Sequence, residues 1–338
     1  MFATLAIGFA GAMTAQYAGL PAPALIGATL TVSCASLFRL TRDIPPFCKD
    51  IAFIVIGCSL GSSITLQTLA DSAKWPVSLL FLGAGVIAII YFCGKVLVKY
   101  FHESRDTAVL ATSPGALAYV LSLAVDGRGD LRSIAVIQTI RLVAVITTIP
   151  FILTHLGLHP EVSPVAGAEP MGIIAFSIIF VSSLIVGRLF IRFRIPAAFF
   201  LAGVCVSGAA HLSGLAVGRP ADEIIFIGFT ITGSLVGARF STIPLADLRN
   251  LFWKSIAALF LSVFIAALFA GAVSRLLSLP FGQVFVAFAP GGVEAMAAMA
   301  ISLHYDPAYV AVHHLFRIFF LILILPLFLK TNTRLKKE

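Results

Sequence analysis

The sequence predicts an all-α polytopic membrane protein with two inverted repeats. Each repeat has about five transmembrane helices plus one helical hairpin, either re-entrant or broken at a Pro-Gly pair. The composition, a self-alignment at constant offset and the distribution of basic residues lead to this prediction. The 338 residues are 59% hydrophobic and 11% charged, whereas soluble domains are about half apolar and a quarter charged. This composition excludes a water-soluble domain.

Apolar segments long enough to cross a hydrocarbon layer of about 30 Å recur along nearly the whole chain. Ten are uninterrupted, at about 2–18, 20–38, 51–70, 76–98, 131–154, 171–190, 196–216, 223–240, 253–275 and 307–329. Two more, 107–125 and 283–303, contain a Pro-Gly pair. We expect the ten to span the membrane and the two to be interrupted.

An offset of 176 residues aligns the two halves of the chain without a gap. The matched residues are Ser113-Pro114-Gly115 with Ala289-Pro290-Gly291, Asp130 with Asp306, Arg141 with Arg317 and Pro150 with Pro326; after a one-residue slip, Leu20-Pro21-Ala22 also matches Ile195-Pro196-Ala197. A duplication explains this pattern. It predicts a first membrane repeat over 1–155, a linker over 156–170, a second repeat over 171–330 and a basic cytoplasmic tail over 331–338.

Lysine and arginine cluster in short segments, and such clusters are typical of cytoplasmic loops. They lie at 39–49, 95–105, 188–194, 239–254 and 330–337. Twelve simple crossings would place two of the clusters outside, whereas hairpins at 107–125 and 283–303 place all of them inside. Each half then has five crossings, and an odd number inverts the second half relative to the first. The alternative is two continuous Pro-kinked helices. The net charge of +8 is therefore interpreted as membrane orientation, with no direct nucleic-acid partner.

The Pro-Gly breaks are the first candidate site. Each begins a new half-helix, whose free N–H groups and partial positive charge favour an anion. Two such ends facing each other near the midplane predict a substrate site; the alternative is a simple kink. The candidate substrate-binding residues here are Ser113, Pro114, Gly115, Pro290, Gly291 and Gly292.

Two arginines near mid-membrane are the second candidate, because a charge at that depth costs several kcal/mol and by default marks a functional site. Arg141 and Arg317 each follow an aspartate by eleven residues, and Gln138 and His314 precede them by three, on the same helix face. We expect all four to contact substrate. A structural ion pair with Glu294, or hydrogen bonds to carbonyls freed at the breaks, stays open.

Glu294 is the one acidic residue within the two Pro-Gly segments, and its counterpart at the offset is Ala118. A carboxyl group at this depth is a candidate for proton or ion coupling. A role as counter-ion to an arginine is the alternative. No cluster of histidine, cysteine and acidic residues has ligand spacing, so neither a metal nor a cofactor is expected.

These residues resemble the membrane AbrB family, also found under the name "ammonia monooxygenase", over almost the whole chain. That family carries a duplicated Pro-Gly-Gly-x-x-Glu-Met-like signature followed by Asp, a Gln-x-x-Arg-like stretch and Pro. The second copy here keeps Pro290-Gly291-Gly292 and Glu294, whereas the first reads Pro114-Gly115-Ala116. The resemblance implies kinship with the broad class of cation/proton antiporters and anion transporters, and a multi-pass protein of the bacterial inner membrane. The basic clusters and the ten crossings predict that both termini are cytoplasmic.

The function expected from these features is secondary transport of a small anionic or zwitterionic solute by alternating access, coupled to H⁺ or Na⁺. The alternative is a membrane sensor that affects gene expression indirectly, as the family's regulator name implies. An enzyme is not expected, because no nucleophile set, paired aspartates or metal motif occurs within the apolar segments. The expected partners are the lipid bilayer and a small solute, and a homo-oligomer stays open.

Overall fold

A computed structural model describes residues 2–66, 72–115, 117–158 and 169–329. The regular structure in these ranges is helical, apart from one isolated bridge between Pro170 and Arg219. Six of the described helices are long and apolar enough to cross a membrane. The all-helical membrane class is therefore confirmed. The predicted tail over 331–338 and most of the linker lie outside the described residues.

Seven α-helices belong to each half of the chain within these ranges. The first half contains α1 (Phe2–Tyr17), α2 (Pro23–Leu37), α3 (Pro46–Gly61), α4 (Trp75–Phe101), α5 (Arg105–Thr112), α6 (Leu117–Val125) and α7 (Leu131–His155). The second half contains α8 (Ile173–Arg192), α9 (Ala198–Leu212), α10 (Asp222–Ala238), α11 (Leu245–Leu277), α12 (Phe281–Phe288), α13 (Val293–Ser302) and α14 (Pro307–Phe328).

The helix boundaries repeat at the offset found in the sequence. Helices α5 and α12 begin at 105 and 281 and end at 112 and 288, so both boundaries differ by 176. Helices α7 and α14 begin at 131 and 307, again 176 apart. The slip near the start of each half is visible too, since the left-handed residues Ala22 (φ 48°) and Ala197 (φ 52°) precede α2 and α9.

The equivalent helices α4 and α11 pack against each other in opposite directions. A Cβ atom on Gly85 of α4 would lie 3.3 Å from the Phe269 side chain, and the Cys93 thiol lies 3.9 Å from the Ala258 carbonyl oxygen. Beyond the end of α4, Glu103 forms a 2.7 Å salt bridge with Lys254 near the start of α11. As the residue number on α4 increases, the number of its contact on α11 decreases, so the two helices are antiparallel.

Two further pairs connect the halves through close glycine contacts. In α3, Gly57 packs on the backbone of Gly203 in α9, and the next turn, at Gly61, packs on Ser207. Similarly, Gly233 in α10 approaches the backbone of Leu25 in α2. Glycines at four-residue spacing let helix backbones approach closely in a membrane. These glycines thus allow helices of the two halves to pack closely against each other.

The four basic clusters within the described residues lie at one end of the bundle. The Ser36 hydroxyl donates to the Gly237 carbonyl, which joins the ends of α2 and α10. The Glu103–Lys254 salt bridge joins the 95–105 and 239–254 clusters. Asp50 interacts electrostatically with Arg188, which brings the 188–194 cluster to the same end.

Candidate functional site

Each Pro-Gly segment folds back on itself as a helical hairpin. The backbone N–H of Asp130, after α6, donates to Thr107 Oγ1 at the start of α5, with an N···O distance of 2.9 Å. In the second half, the backbone N–H of Asp306 donates to Gln283 Oε1 at 3.3 Å. A continuous helix would separate the members of either pair by about 35 Å at 1.5 Å per residue. The kinked-helix alternative is therefore wrong for both segments.

The two aspartates singled out in the sequence cap the helices that follow the hairpins. The Asp130 carboxylate accepts from the backbone N–H of Ser133 at 2.9 Å, and the Asp306 carboxylate accepts from that of Ala308 at 2.9 Å. An N-cap aspartate satisfies donors that have no partner within the helix. These caps fix where α7 and α14 begin, and thereby the height of the arginines eleven residues further on.

Arg141 is buried and donates to the carbonyl groups at the end of α5. Its Nη1 lies 3.3 Å from the Ala111 oxygen and 3.1 Å from that of Thr112, and its Nη2 lies 2.9 Å from the Ser113 oxygen. The last carbonyls of a helix lack intrahelical partners and carry a partial negative charge. The guanidinium satisfies them at the break, as one of the sequence alternatives proposed.

Arg317 has the equivalent position in the second hairpin. Its Nη1 donates to the Ala289 carbonyl at 2.7 Å and its Nη2 to that of Gly291 at 2.5 Å. His314 Nδ1 lies 2.6 Å from Nη2, and His314 Nε2 lies 3.0 Å from the Val286 oxygen. Because a guanidinium only donates, Nδ1 is the acceptor and Nε2 carries the hydrogen.

The first hairpin repeats this pattern with an amide. Gln138 Nε2 donates to the Leu110 carbonyl at 2.8 Å, the counterpart of the bond from His314 to Val286. The tips also touch, since a Cβ atom on Gly115 would lie 2.6 Å from Arg317 Nη2. Gly115 has a φ of +90°, which favours glycine. The arginine of the second half therefore lies against the tip of the first hairpin.

A cavity of about 520 Å³ lies at these tips and is bordered by both halves. Seven of the predicted site residues line it, namely Gly115, Gln138, Arg141, Pro290, Gly291, Gly292 and Glu294. The other four are buried and do not line it; they are Ser113, Pro114, His314 and Arg317. The Ser113 hydroxyl donates to the Val109 carbonyl at 2.7 Å.

Glu294 lies in the first turn of α13 with part of its surface open to the cavity. Its carboxylate accepts a hydrogen bond from its own backbone N–H and interacts electrostatically with Lys49 and Arg239. Over the described ranges, neither Arg141 nor Arg317 forms a salt bridge with it. The ion pair proposed as an alternative is therefore absent among these residues.

Three charged residues that line the cavity were not predicted as site residues. Lys49 and Asp50 lie near the start of α3, and Arg239 directly follows α10. The sequence assigned Lys49 and Arg239 to cytoplasmic clusters only. The duplication gave no signal for them, since their counterparts at the offset are Ile225, Phe226 and Ser63. Helix packing alone brings these charges to the cavity.

These features define a helical membrane-type protein whose duplicated hairpins border one cavity. A family model described as "Transition state regulatory protein AbrB" matches residues 24–332. The chain belongs to the AbrB family, as the signature predicted.

Two relatives match over nearly their full length. The Escherichia coli (strain K12) protein named "Putative regulator AbrB" is 25% identical, over 90% of this chain and 88% of that protein. The Bacillus subtilis (strain 168) protein YhjN is 22% identical, over 99% of this chain and 93% of that protein.

Proposed function

We propose that this protein is a secondary transporter that moves a small anionic or zwitterionic solute by alternating access, coupled to H⁺ or Na⁺. The observation that carries the proposal is one cavity bordered by both hairpin tips. Residues at the start of α6 and α13 line it, so two half-helix N-termini from different halves face one space. Broken helices that present their termini to a midplane site are the plan of many secondary transporters.

An inverted-repeat arrangement in the bacterial inner membrane is part of this proposal. The antiparallel packing of the equivalent helices α4 and α11 supports it. The position of the four basic clusters at one end of the bundle supports a cytoplasmic side there. With both termini also cytoplasmic, the α5–α6 hairpin enters from the inside and the α12–α13 hairpin from the outside.

The charges at the two tips differ, and this supports an anionic or zwitterionic solute. The first turn of α6 contains no acidic residue, whereas that of α13 contains Glu294. The N-terminus of α6 beside Gly115 therefore offers its partial positive charge to a carboxylate or another anionic group. Glu294 takes the coupling ion or the solute's ammonium group. A volume of about 520 Å³ lies within the range of small-molecule sites.

The arginines support the site in two ways. Both hold the hairpin tips through backbone carbonyls, and Arg141 also lines the cavity, where its charge favours an anion. Direct solute contact by Arg141 remains a prediction. Arg317 acts through its contact with Gly115.

The position of the charged lining residues supports a cavity that opens toward the cytoplasm. Lys49, Asp50 and Arg239 lie at the end of the bundle that holds the basic clusters. Under the proposed orientation this end is cytoplasmic, so the cavity is open to the inside. Transport requires a second state in which this end closes and the opposite end opens.

Solute uptake into proteoliposomes under imposed proton or sodium gradients tests the proposal. The panel contains small carboxylates, amino acids and small cations, and wild type is compared with Glu294→Gln. We expect gradient-driven uptake of an anionic or zwitterionic solute that Glu294→Gln abolishes. The matched control is Glu223→Gln, because Glu223 is exposed at the start of α10 and does not line the cavity. Uptake that survives in Glu294→Gln would remove Glu294 as the coupling group.

A membrane sensor that affects gene expression indirectly is the second candidate function. The family description and the name of the Escherichia coli relative favour it. The same cavity would then bind a solute without moving it. Saturable binding of a panel solute with no flux under any gradient would support the sensor and contradict the transporter.

A further inference from the structure

A second cavity of about 690 Å³ opens on the surface of the bundle between α4, α5 and α14. Its walls are mostly aliphatic and aromatic, with Ile87 and Val98 from α4, Val109 from α5 and Leu327 from α14. Gly94 leaves room in the wall, since a Cβ atom there would meet only Thr112 Oγ1, at 4.0 Å. This is an open apolar groove, quite unlike the charged cavity at the hairpin tips.

Three basic residues also line the groove. Lys95 and Lys99 project from the last turns of α4, and Arg105 begins α5. All three are exposed, and none forms a salt bridge with another described residue. Lys95 Nζ lies 5.9 Å from the centre of the Tyr91 ring. The groove therefore combines an apolar surface with unneutralised positive charge.

The spacing of these features matches one leaflet of a bilayer. Ile87 and Lys99 are twelve positions apart on α4, which is about 18 Å at 1.5 Å per residue. Half of a hydrocarbon core is about 15 Å. The basic residues belong to the end of the bundle that holds the other clusters. Apolar walls thus lie at acyl-chain depth and basic side chains at headgroup depth.

We propose that this groove binds an anionic phospholipid of the inner leaflet. Its phosphate is held by Lys95, Lys99 and Arg105, and one acyl chain lies along α4 between α5 and α14. Basic pockets beside transmembrane helices on the cytoplasmic side are typical of anionic headgroup recognition. Since α5 contributes Arg105 and Val109, the bound lipid contacts the first hairpin. The site does not depend on transport, because none of its residues lines the cavity at the tips.

The test measures thermal unfolding of the full chain in detergent with added dioleoyl phosphatidylglycerol or dioleoyl phosphatidylcholine. We expect phosphatidylglycerol to raise the unfolding temperature by about 3 °C more than phosphatidylcholine. Replacing Lys95, Lys99 and Arg105 together by alanine should remove this difference. The control replaces Arg188, Arg192 and Arg194 by alanine; this cluster has three basic residues at the same end and lines neither cavity. It should keep the difference.

A second variant separates lipid binding from charge attraction alone. Gly94→Leu puts a side chain into the groove and leaves all three basic residues in place. It should lose the phosphatidylglycerol effect, and glycerol 3-phosphate should stabilise neither this variant nor wild type. The proposal is overturned if both lipids stabilise wild type equally, if the triple alanine variant at the groove keeps the difference, or if Gly94→Leu keeps it. Stabilisation by glycerol 3-phosphate would equally overturn it in favour of a phosphate site.

Discussion

The two hairpins share one framework and differ in the chemistry of their tips. In both, an aspartate caps the following helix and an arginine eleven residues later donates to the carbonyls at the break. The first hairpin adds Gln138 to this framework, whereas the second adds His314. Only the second carries an acid in the first turn of its returning helix, Glu294.

The difference shows which residues of the duplicated unit are needed to satisfy backbone carbonyl groups and which are not. A break at membrane depth frees carbonyl groups, and each costs several kcal/mol if it finds no partner. The bonds that satisfy them are accordingly present in both copies. A carboxylate cannot donate to a carbonyl, so Glu294 is not part of this framework. The sequence has alanine at the equivalent position, 118, and the two tips can therefore have different roles.

The largest expected difference between the hairpins is the side of the membrane that their bases face. Asp126 and Ser302 are equivalent positions at the ends of α6 and α13. With the five native cysteines replaced by alanine, Asp126→Cys should react with a membrane-impermeant maleimide only after permeabilisation. Ser302→Cys should react in intact cells, because the inverted arrangement puts its hairpin base outside.

Two outcomes would contradict the inverted arrangement. If both cysteines react in intact cells, or both only after permeabilisation, the hairpins enter from the same side. A cysteine in place of Ser213, which is exposed after α9 at the proposed outer face, provides the positive control for reagent access in intact cells.

The next effect concerns the arginines. Arg317→Ala should lower the free energy of unfolding by about 3 kcal/mol or more, because two buried carbonyls and His314 lose a charged donor. Arg141→Ala should have a similar effect, since three carbonyls lose their donor. Release of the repulsion between the two guanidinium groups offsets part of each loss. Urea unfolding in detergent, followed by circular dichroism, measures both.

His314→Gln provides the control, because it copies the residue of the first hairpin. An amide can donate to the Val286 carbonyl as Gln138 does to Leu110, so the cost should stay below about 1 kcal/mol. An Arg317→Ala variant that unfolds like wild type would refute the role of Arg317 in stabilising the hairpin tip. If such a variant also lost solute binding, Arg317 would be assigned to the solute instead.

The sequence was sufficient to predict the all-helical membrane class and the family. It was sufficient because the length of the apolar segments and the repeated signature can both be recognised without knowing how the helices pack. The offset of 176 found in the sequence recurs in the boundaries of the helices at 105–112 and 281–288. The interruption at each Pro-Gly pair followed from proline geometry. The hairpin shape was predicted from the basic clusters, because only hairpins at 107–125 and 283–303 place all of the clusters on one side of the membrane.

The cavity lining could be predicted only in part. Three charged lining residues lie near helix ends: Lys49 and Asp50 near the start of α3, and Arg239 directly after α10. No sequence periodicity relates them to the hairpin tips. Only the packing of α3 and α10 against the rest of the bundle brings them there. The carbonyl acceptors of Arg141 and Arg317 were likewise one alternative among several, because a sequence does not show which buried groups lack partners.

The smallest of the three expected effects distinguishes the two glycines that follow the prolines. Gly115 has a φ of +90°, and a Cβ atom there would approach the Arg317 guanidinium to 2.6 Å. Gly291 has no such φ, and its Cβ would meet the side chain of Met296 at 2.6 Å, which is flexible. Gly115→Ala should therefore cost about 1–3 kcal/mol through backbone strain and displacement of Arg317, and Gly291→Ala should cost less. The same unfolding assay measures both. Equal costs would mean that Gly115 is not held at this φ against Arg317, and the tips would then lack this contact between the two halves.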